Sequence, residues 1–244
     1  MDIMDKKFLV IIPAYNEEKR IDGVVRSIKD IYPMGDVLVV NDGSTDRTGE
    51  DAHRAGAIVL THPVNLGYGS SLELGYFYAL KHDYDIVVQM DGDGQHIAGE
   101  ITKILSPVVH GEADIVIGSR YLHDENSYKT SLARRLGQKF FSAVFILLTH
   151  AAITDPTSGF QCLTRKVFKL YAHSRFPEDF PDTDVLLMAS FAGFRVKEVP
   201  VVMANRSGGI SMHAGLKPFY YMVKMVLSIF MVCLSYRRWK KIVS

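Results

Sequence analysis

The stretch that decides the fold of this chain is Asp91-Gly92-Asp93-Gly94-Gln95-His96. It follows residues 85–90, an apolar run of β-forming residues with polar ends that predicts a buried strand. In open α/β sheets, ligands bind beyond the carboxyl ends of the strands. Two neighbouring carboxylates repel each other, and Mg²⁺ relieves this by binding one or two of them together with substrate phosphates. The stretch therefore predicts a Mg²⁺ or Mn²⁺ diphosphate site, with a simple Asp/Gly turn as the alternative.

Other apolar runs predict further strands of the same sheet, at residues 8–12, 37–40, 57–60 and 114–118. Pro13 should end the first strand, and residues 21–31 then show helical spacing of apolar residues. The polar turn at 41–46 should begin a helix with Ser44 or Thr45 as its cap. Strands that alternate with helices at this spacing predict an α/β fold with a mostly parallel, doubly wound sheet and flanking helices.

Length and composition favour one large domain, since 244 residues contain no obvious linker. With 48% hydrophobic residues and a net charge of +1, the composition argues against disorder and against a nucleic-acid partner. Cys162 and Cys233 are too few for a disulfide framework or a zinc site, which suits a reduced compartment. The apolar run near the N-terminus is too short for a signal peptide, so we expect the catalytic part in the cytoplasm.

Acidic loops follow the first, second and fourth predicted strands, and in a parallel sheet these loops share one edge. The first loop lacks the Gly-x-Gly-x-x-Gly pattern of dinucleotide sites, and the chain has no Gly-x-x-x-x-Gly-Lys-Ser/Thr phosphate loop. A nucleotide bound at this edge must therefore be held in another way.

Motifs in serial order resemble those of family 2 glycosyltransferases with the GT-A fold. They are residues 12–18 (IPAYNEE), 41–46 (NDGSTD), 65–67 (NLG) and 91–96 (DGDGQH). Residues 118–121 (GSRY), 155–160 (DPTSGF) and 206–211 (RSGGIS) narrow the resemblance to the polyprenyl-phosphate, dolichol-phosphate mannose synthase-like branch. The resemblance implies a metal-dependent, inverting transfer of a sugar from a UDP- or GDP-sugar to a polyprenyl phosphate.

The resemblance also implies a donor site and a metal site. The donor would contact Pro13, Ala14, Tyr15, Glu17, Asp42 and Asp91. A Mg²⁺ or Mn²⁺ ion would be held by Asp91, Asp93 and Gln95 and would neutralise charge on the departing nucleoside diphosphate, which makes Asp93 essential to catalysis. Glu18 and Asp46 are interpreted instead as a surface residue and a helix cap.

A lipid phosphate is already an anion, so its reaction requires positive charge to hold it in line rather than a general base. Arg120 and Arg206 are the predicted catalytic cations, and Arg134, or its neighbour Arg135, is expected to bind the acceptor. The resemblance adds three further residues to the acceptor side of the pocket: Asp155, Ser158 and Ser211.

Two positions depart from the branch. Met212 follows Ser211 where a basic residue is frequent, and Tyr68 stands where a basic residue is common at the Asn-x-Gly motif. For a hydroxyl acceptor, the resemblance implies that the base is Asp182 or Asp184, and a helix cap is the alternative for Asp182.

Two apolar helices are predicted, at about 134–153 and 215–236. A helix that is apolar on all faces is buried in a core or in lipid. The uninterrupted apolar segment 225–234 is shorter than the roughly 20 residues needed to span a bilayer, and the basic, aromatic residues 237–241 suit a headgroup boundary.

We therefore predict a GT-A catalytic domain over 1–213, which includes the helix at about 134–153, and a C-terminal helix with a basic tail over 214–244. Both helices would lie on the cytoplasmic face of the membrane or against a small integral membrane protein. Packing in a core or a homo-oligomer is the alternative for the helices. For function the alternatives are a hydroxyl acceptor, or a catalytically silent membrane-docking module that binds a nucleotide sugar.

Overall fold

The computed structural model describes residues 6–122, 132–174, 177, 181–204 and 217–236. A seven-stranded sheet in the order β3-β2-β1-β4-β6-β5-β7 forms its centre. The strands are β1 Phe8–Ala14, β2 Asp36–Asn41, β3 Ile58–Thr61, β4 Ile86–Gln89, β5 Ile115–Ser119, β6 Gln161–Thr164 and β7 Val196–Pro200. The helices are α1 Ile21–Ile31, α2 Thr48–Arg54, α3 Tyr68–Lys81, α4 Ile101–Val109, α5 Leu132–Thr149, α6 Arg165–His173, α7 Thr183–Phe191 and α8 Lys217–Leu234, and a 3₁₀ turn over Ala98–Glu100 precedes α4.

The prediction of a mostly parallel α/β sheet is confirmed. Strands β3, β2, β1 and β4 are parallel neighbours, and β7 pairs in parallel with β5. β6 lies between β4 and β5 and runs antiparallel to both, with Gln89 paired to Gln161 and Ile117 paired to the same residue. Neither β6 nor β7 was expected from the sequence.

Alternate residues of β1 pack into different layers of the core, as the pleat of a strand requires. Leu9 and Ile11 join an apolar cluster with residues of α3, α5, α6, α7 and α8. Val10 and Ile12 join a second cluster with residues of α1 and α4. The sheet is therefore covered on both faces, which explains why its central strands are uniformly apolar.

The prediction that Pro13 ends the first strand is wrong. β1 continues to Ala14, and Pro13 is in register with Val40 of β2. The pairing of β1 with β4 ends at Ile11, whose carbonyl oxygen accepts from the N–H of Met90. Because backbone groups alternate along a strand, the nitrogen of Pro13 is directed to the side of β4, beyond the last pair. No ladder hydrogen bond is lost there, so a proline is tolerated.

The predicted cap of the second helix is also wrong. α2 begins at Thr48, after Ser44 and Thr45, with Arg47 in the cap position. The carboxylate of Asp46 accepts hydrogen bonds from the N–H of Thr48 at 3.0 Å and from that of Glu18 at 3.2 Å. Asp46 therefore ties the start of α2 to the loop after β1, close to the capping role expected of it.

Both predicted apolar helices are present, and each is buried along one face only. Phe141 and Phe145 of α5, and Met225 and Ile229 of α8, lie in the core. On the opposite faces Leu147 is 75% exposed and Met231 is 60% exposed. Among the residues that the structure describes, no helix is long and apolar enough to cross a membrane.

Candidate active site

The acidic turn after β4 is held in place by His96. The backbone N–H of Asp91 donates to Nδ1 of His96 at 2.9 Å, so the imidazole proton is on Nε2, which lies 3.7 Å from Oδ2 of Asp91. The imidazole ring stacks on Phe160 with a centroid distance of 4.9 Å. Burial lowers the pKa of His96, in keeping with a neutral ring that accepts at Nδ1.

The side chains of the turn carry oxygen atoms at the carboxyl end of β4. The side chain of Asp91 is 35% exposed, and Oδ1 of Asp93 accepts the N–H of Gln95 at 3.0 Å. No group of three or more His, Cys, Asp or Glu residues in the described part of the chain is arranged to hold a metal ion. Side-chain oxygens such as those of Asp91, Asp93 and Gln95 suit Mg²⁺, because this ion usually binds one or two carboxylates and completes its coordination shell with phosphates and water.

The carboxyl end of β1 lies against this turn, as expected for neighbouring parallel strands. A Cβ on Gly92 would lie 3.4 Å from the carbonyl oxygen of Pro13 and 3.5 Å from Cβ of Ala14. Tyr15 follows with its side chain largely exposed, whereas the carboxylate of Glu17 pairs with Arg20 at 2.6 Å. Pro13 and Ala14 are therefore adjacent to the acidic turn, Tyr15 is the next residue along the chain, and the carboxylate of Glu17 has a partner within its own loop.

Asp42 is buried and bonded within the protein. Its Oδ1 lies 2.8 Å from Nδ1 of His62 and accepts the N–H of Leu66 at 2.9 Å. Its Oδ2 accepts the N–H of Gly67 at 2.9 Å. These contacts fix the loop at 65–67 that leads into α3. The predicted contact of Asp42 with the donor stays a prediction.

Tyr68, the first residue of α3, contacts the acidic turn directly, which the sequence did not reveal. Its hydroxyl donates to Oδ1 of Asp91 at 3.0 Å. Burial, and then the charge of Asp91, raise the pKa of Tyr68 well above its usual value, so the hydroxyl keeps its proton. A Cβ on Gly159 would lie 2.9 Å from this hydroxyl and 3.3 Å from Oδ1 of Asp91. The only signal in the sequence was the aromatic residue where a basic one is common.

Arg120 was predicted as a catalytic cation and Asp155 as an acceptor-binding residue, and the structure pairs them. Both are buried, with Nε of Arg120 2.7 Å from Oδ2 of Asp155 and Nη2 2.7 Å from Oδ1. The backbone N–H of Asp155 donates in turn to Glu198 of β7 at 2.7 Å. The positive charge of Arg120 is thus balanced within the protein, and its contact with an acceptor stays a prediction.

Ser158 is also buried and used within the loop. Its hydroxyl donates to the carbonyl oxygen of Gly118 at 2.7 Å and accepts the N–H of Phe160 at 3.3 Å. These bonds join the 155–160 loop to the end of β5. A role of Ser158 in acceptor binding likewise stays a prediction.

The two candidate bases have different surroundings. Asp184 is buried, accepts the N–H of Val185 at 2.9 Å and receives the hydroxyl of Ser228 from α8. Burial raises its pKa. Asp182 occupies the cap position of α7 without a side-chain cap bond. The pKa of Tyr68 is raised mainly by burial and by the charge of Asp91, and to a smaller extent by the charge of Asp182. Asp182 therefore lies within electrostatic reach of the acidic turn.

Some predicted residues lie outside the described part of the chain, namely Arg206, Ser211 and Met212. Arg134 lies in α5, but its side chain is likewise outside the description. The described chain before Arg206 runs along the acidic turn, where the N–H of Ala204 donates to the carbonyl oxygen of Gln95 at 2.8 Å. Met203 forms a β-bridge with His96.

A family model and similar relatives both identify glycosyltransferases. Residues 9–172 match the family described as Glycosyl transferase family 2. Polyprenol monophosphomannose synthase of Mycolicibacterium smegmatis is 30% identical over 86% of this chain and 82% of its own. UDP-N-acetylglucosamine–dolichyl-phosphate N-acetylglucosaminyltransferase of Methanococcus voltae is 26% identical over 91% of this chain and 96% of its own.

The fold has close solved counterparts. The structure of glucosyl-3-phosphoglycerate synthase from Mycobacterium tuberculosis, in complex with Mn²⁺ and UDP-glucose, aligns with a TM-score of 0.70 at 22% identity. The alignment covers 95% of this chain and 82% of that one. The match in sequence spans more than half of the chain, and the relatives in the predicted branch cover most of it. The chain therefore belongs to glycosyl transferase family 2 and has the GT-A fold of these glycosyltransferases.

Proposed function

We propose that this protein transfers a hexose or N-acetylhexosamine from a UDP- or GDP-sugar to a polyprenyl phosphate, with inversion at the sugar and with a divalent cation. The observation that carries the proposal is the acidic turn at the carboxyl end of β4, which lies against the carboxyl end of β1. Relatives that match most of the chain are named as polyprenol- or dolichyl-phosphate glycosyltransferases, which supports the acceptor class.

In this proposal Asp91, Asp93 and Gln95 hold the cation, and Pro13, Ala14 and Tyr15 contact the nucleoside. All the metal ligands are oxygens, which suits Mg²⁺ or Mn²⁺ rather than a softer ion. When bound, the cation neutralises the charge that develops on the nucleoside diphosphate as it leaves. Asp91 would contact both ribose and metal.

The acceptor side needs positive charge near the donor. We assign Arg206 to this role, since the described chain before it passes beside Gln95. Arg134 and Ser211 are proposed as further acceptor contacts. Arg120, together with Asp155, would act mainly by holding the 155–160 loop, because its charge is balanced by that carboxylate.

The exposed faces of α5 and α8 are proposed to rest on the cytoplasmic surface of the membrane that carries the lipid substrate, where a small integral membrane protein could assist. These faces expose large apolar side chains, and neither helix contains an acidic residue. Arg135 and Lys139 are exposed near the start of α5. An apolar surface with basic residues and no acids is complementary to an anionic lipid surface.

The test is transfer of radiolabel from a panel of UDP- and GDP-sugars to undecaprenyl phosphate in detergent with Mn²⁺. Wild type should produce lipid-extractable label with one donor, and a chelator should abolish it until Mn²⁺ is restored. Asp93→Ala should lower the rate of sugar transfer by about 100-fold or more, because it removes several kcal/mol of transition-state stabilisation. The matched control is Asp30→Ala, which removes an exposed acid of α1.

Equal rates in the two variants would contradict the metal site. A protein that binds a nucleotide sugar yet labels no lipid would contradict the polyprenyl-phosphate acceptor. Transfer to a hydroxyl acceptor that depends on Asp182, measured with Asp182→Asn, would then replace it.

A further inference from the structure

We infer that Tyr68 is a positioning residue for Asp91, whose carboxylate it holds in the orientation that receives the metal–nucleotide donor. The inference rests on the proposed function, because it assigns Asp91 to that donor. It adds a residue from a different element, α3, to a site otherwise built from the ends of β1 and β4.

The hydroxyl of Tyr68 is itself held firmly. Asp42 accepts the N–H groups of Leu66 and Gly67, each at 2.9 Å, so the residues just before Tyr68 are fixed to the end of β2. Gly43 allows this close approach, since a Cβ there would lie 2.5 Å from the carbonyl carbon of Val64. The ring of Tyr68 packs against the apolar cluster beneath the sheet. The backbone and the ring are thus both constrained before the hydroxyl reaches Asp91.

The absence of a side chain at Gly159 leaves room for this hydroxyl beside Asp91. Gly159 faces both partners, and any side chain there would collide with the Tyr68 hydroxyl at 2.9 Å. On its other side the carboxylate of Asp91 is 3.7 Å from Nε2 of His96. The carboxylate is therefore bounded by Tyr68, Gly159 and His96, and Tyr68 supplies its short side-chain hydrogen bond.

Loss of this bond should disturb the donor site in a specific way. Asp91 and Asp93 are separated by one residue and repel each other, so an unrestrained and partly exposed Asp91 would turn toward water. Partners that orient a metal ligand typically contribute 10–100-fold to metal affinity or activity. Tyr68→Phe removes only the hydroxyl oxygen and leaves the ring packing in place.

The experiment measures binding rather than turnover. UDP and GDP are titrated into the full chain by calorimetry, with and without Mn²⁺, for wild type, Tyr68→Phe and Tyr78→Phe. Tyr78 lies on the same helix, where its ring stacks on His82, and is the matched control. We expect Tyr68→Phe to weaken nucleotide binding roughly 10-fold or more in Mn²⁺. Binding without Mn²⁺ and the melting temperature should match the control.

A double-mutant cycle with Asp91→Ala tests whether Tyr68 acts through Asp91. The effect of Tyr68→Phe should disappear in the Asp91→Ala background, because the acceptor that Tyr68 positions has been removed. Additive effects, or wild-type affinity in Tyr68→Phe, would overturn the positioning role while the proposed function stands. Wild type that binds neither UDP nor GDP in Mn²⁺ would instead overturn the proposed function itself.

Discussion

Removal of the carboxylate of Asp155 should lower the melting temperature of this protein markedly. The substitution Asp155→Ala leaves the guanidinium of Arg120 buried without the two oxygens that now lie 2.7 Å from its Nε and Nη2. Breaking a buried pair by removing one partner costs about 3–5 kcal/mol, because the remaining charge stays desolvated. For a chain of this size, that loss corresponds to a decrease in Tm of roughly 6–20 °C.

The assay is thermal and urea unfolding followed by circular dichroism. Glu112→Ala is the control, since Glu112 and Lys197 form an exposed pair at 2.5 Å whose loss should change stability little, because water screens both charges. The double substitution Arg120→Met/Asp155→Leu should recover part of the stability lost in Asp155→Ala, because no unpaired charge remains. If Asp155→Ala is no less stable than Glu112→Ala, the carboxylate of Asp155 does not balance a buried Arg120.

Asp155→Ala and Arg120→Ala together separate two roles of Arg120. If Arg120 only holds the 155–160 loop, Asp155→Ala should reduce sugar transfer as much as Arg120→Ala does, because either substitution breaks the same pair. If Arg120 also contacts the acceptor phosphate, Arg120→Ala should raise the KM for polyprenyl phosphate while Asp155→Ala does not. Transfer at a temperature where both variants remain folded distinguishes these outcomes.

Two further predictions concern the buried Asp184, which contacts α8, and the exposed faces of α5 and α8. Burial raises the pKa of Asp184 above its ordinary 3.8, so the contribution of Asp184 to stability is full below that value and decreases as pH rises through the folded-state pKa. The free energy of unfolding of Asp184→Asn should therefore increase relative to that of wild type between acidic and neutral pH. A difference between the two proteins that is constant with pH would contradict this. If the exposed faces of α5 and α8 contact lipid, Leu147→Glu and Met231→Glu should reduce sedimentation of the protein with phosphatidylglycerol vesicles, whereas Met34→Glu, at an 82% exposed residue after α1, should not.

The elements that could be predicted from the sequence are those whose signal is local. The apolar runs of β1, β2, β4 and β5 indicated buried strands because both faces of the sheet are covered. β6 contains only Gln161–Thr164, with polar residues at both ends, and β7 alternates irregularly at the edge of the sheet. Their positions depend on pairing with strands distant in sequence, which no short pattern encodes.

The site shows the same division. That the carboxyl ends of β1 and β4 share one edge followed from one rule about parallel sheets, and the structure places the end of β1 against the turn after β4. The pairs Tyr68–Asp91 and Arg120–Asp155 join residues 23 and 35 positions apart, so their side chains appeared in the sequence as unrelated motif residues. What could not be predicted is which polar groups the protein uses to satisfy one another.

The direction of β6 explains why these motifs meet. Because β6 runs antiparallel between β4 and β5, its first residue, Gln161, is paired with Gln89 at the carboxyl end of β4 and with Ile117 near that of β5. Residues just before β6 therefore lie at the same edge as residues just after β4 and β5. This brings Gly159 to Asp91, Phe160 to His96 and Asp155 to Arg120.

A parallel β6 would carry the 155–160 loop to the opposite edge, roughly 10–13 Å away for a four-residue strand. The antiparallel strand thus gives the proposed donor side and acceptor side of the site a common rigid support, with a register fixed by the buried residues Cys162 and Leu163. Substitutions that shift this register should therefore impair metal–nucleotide binding and acceptor binding together, although they lie on neither surface.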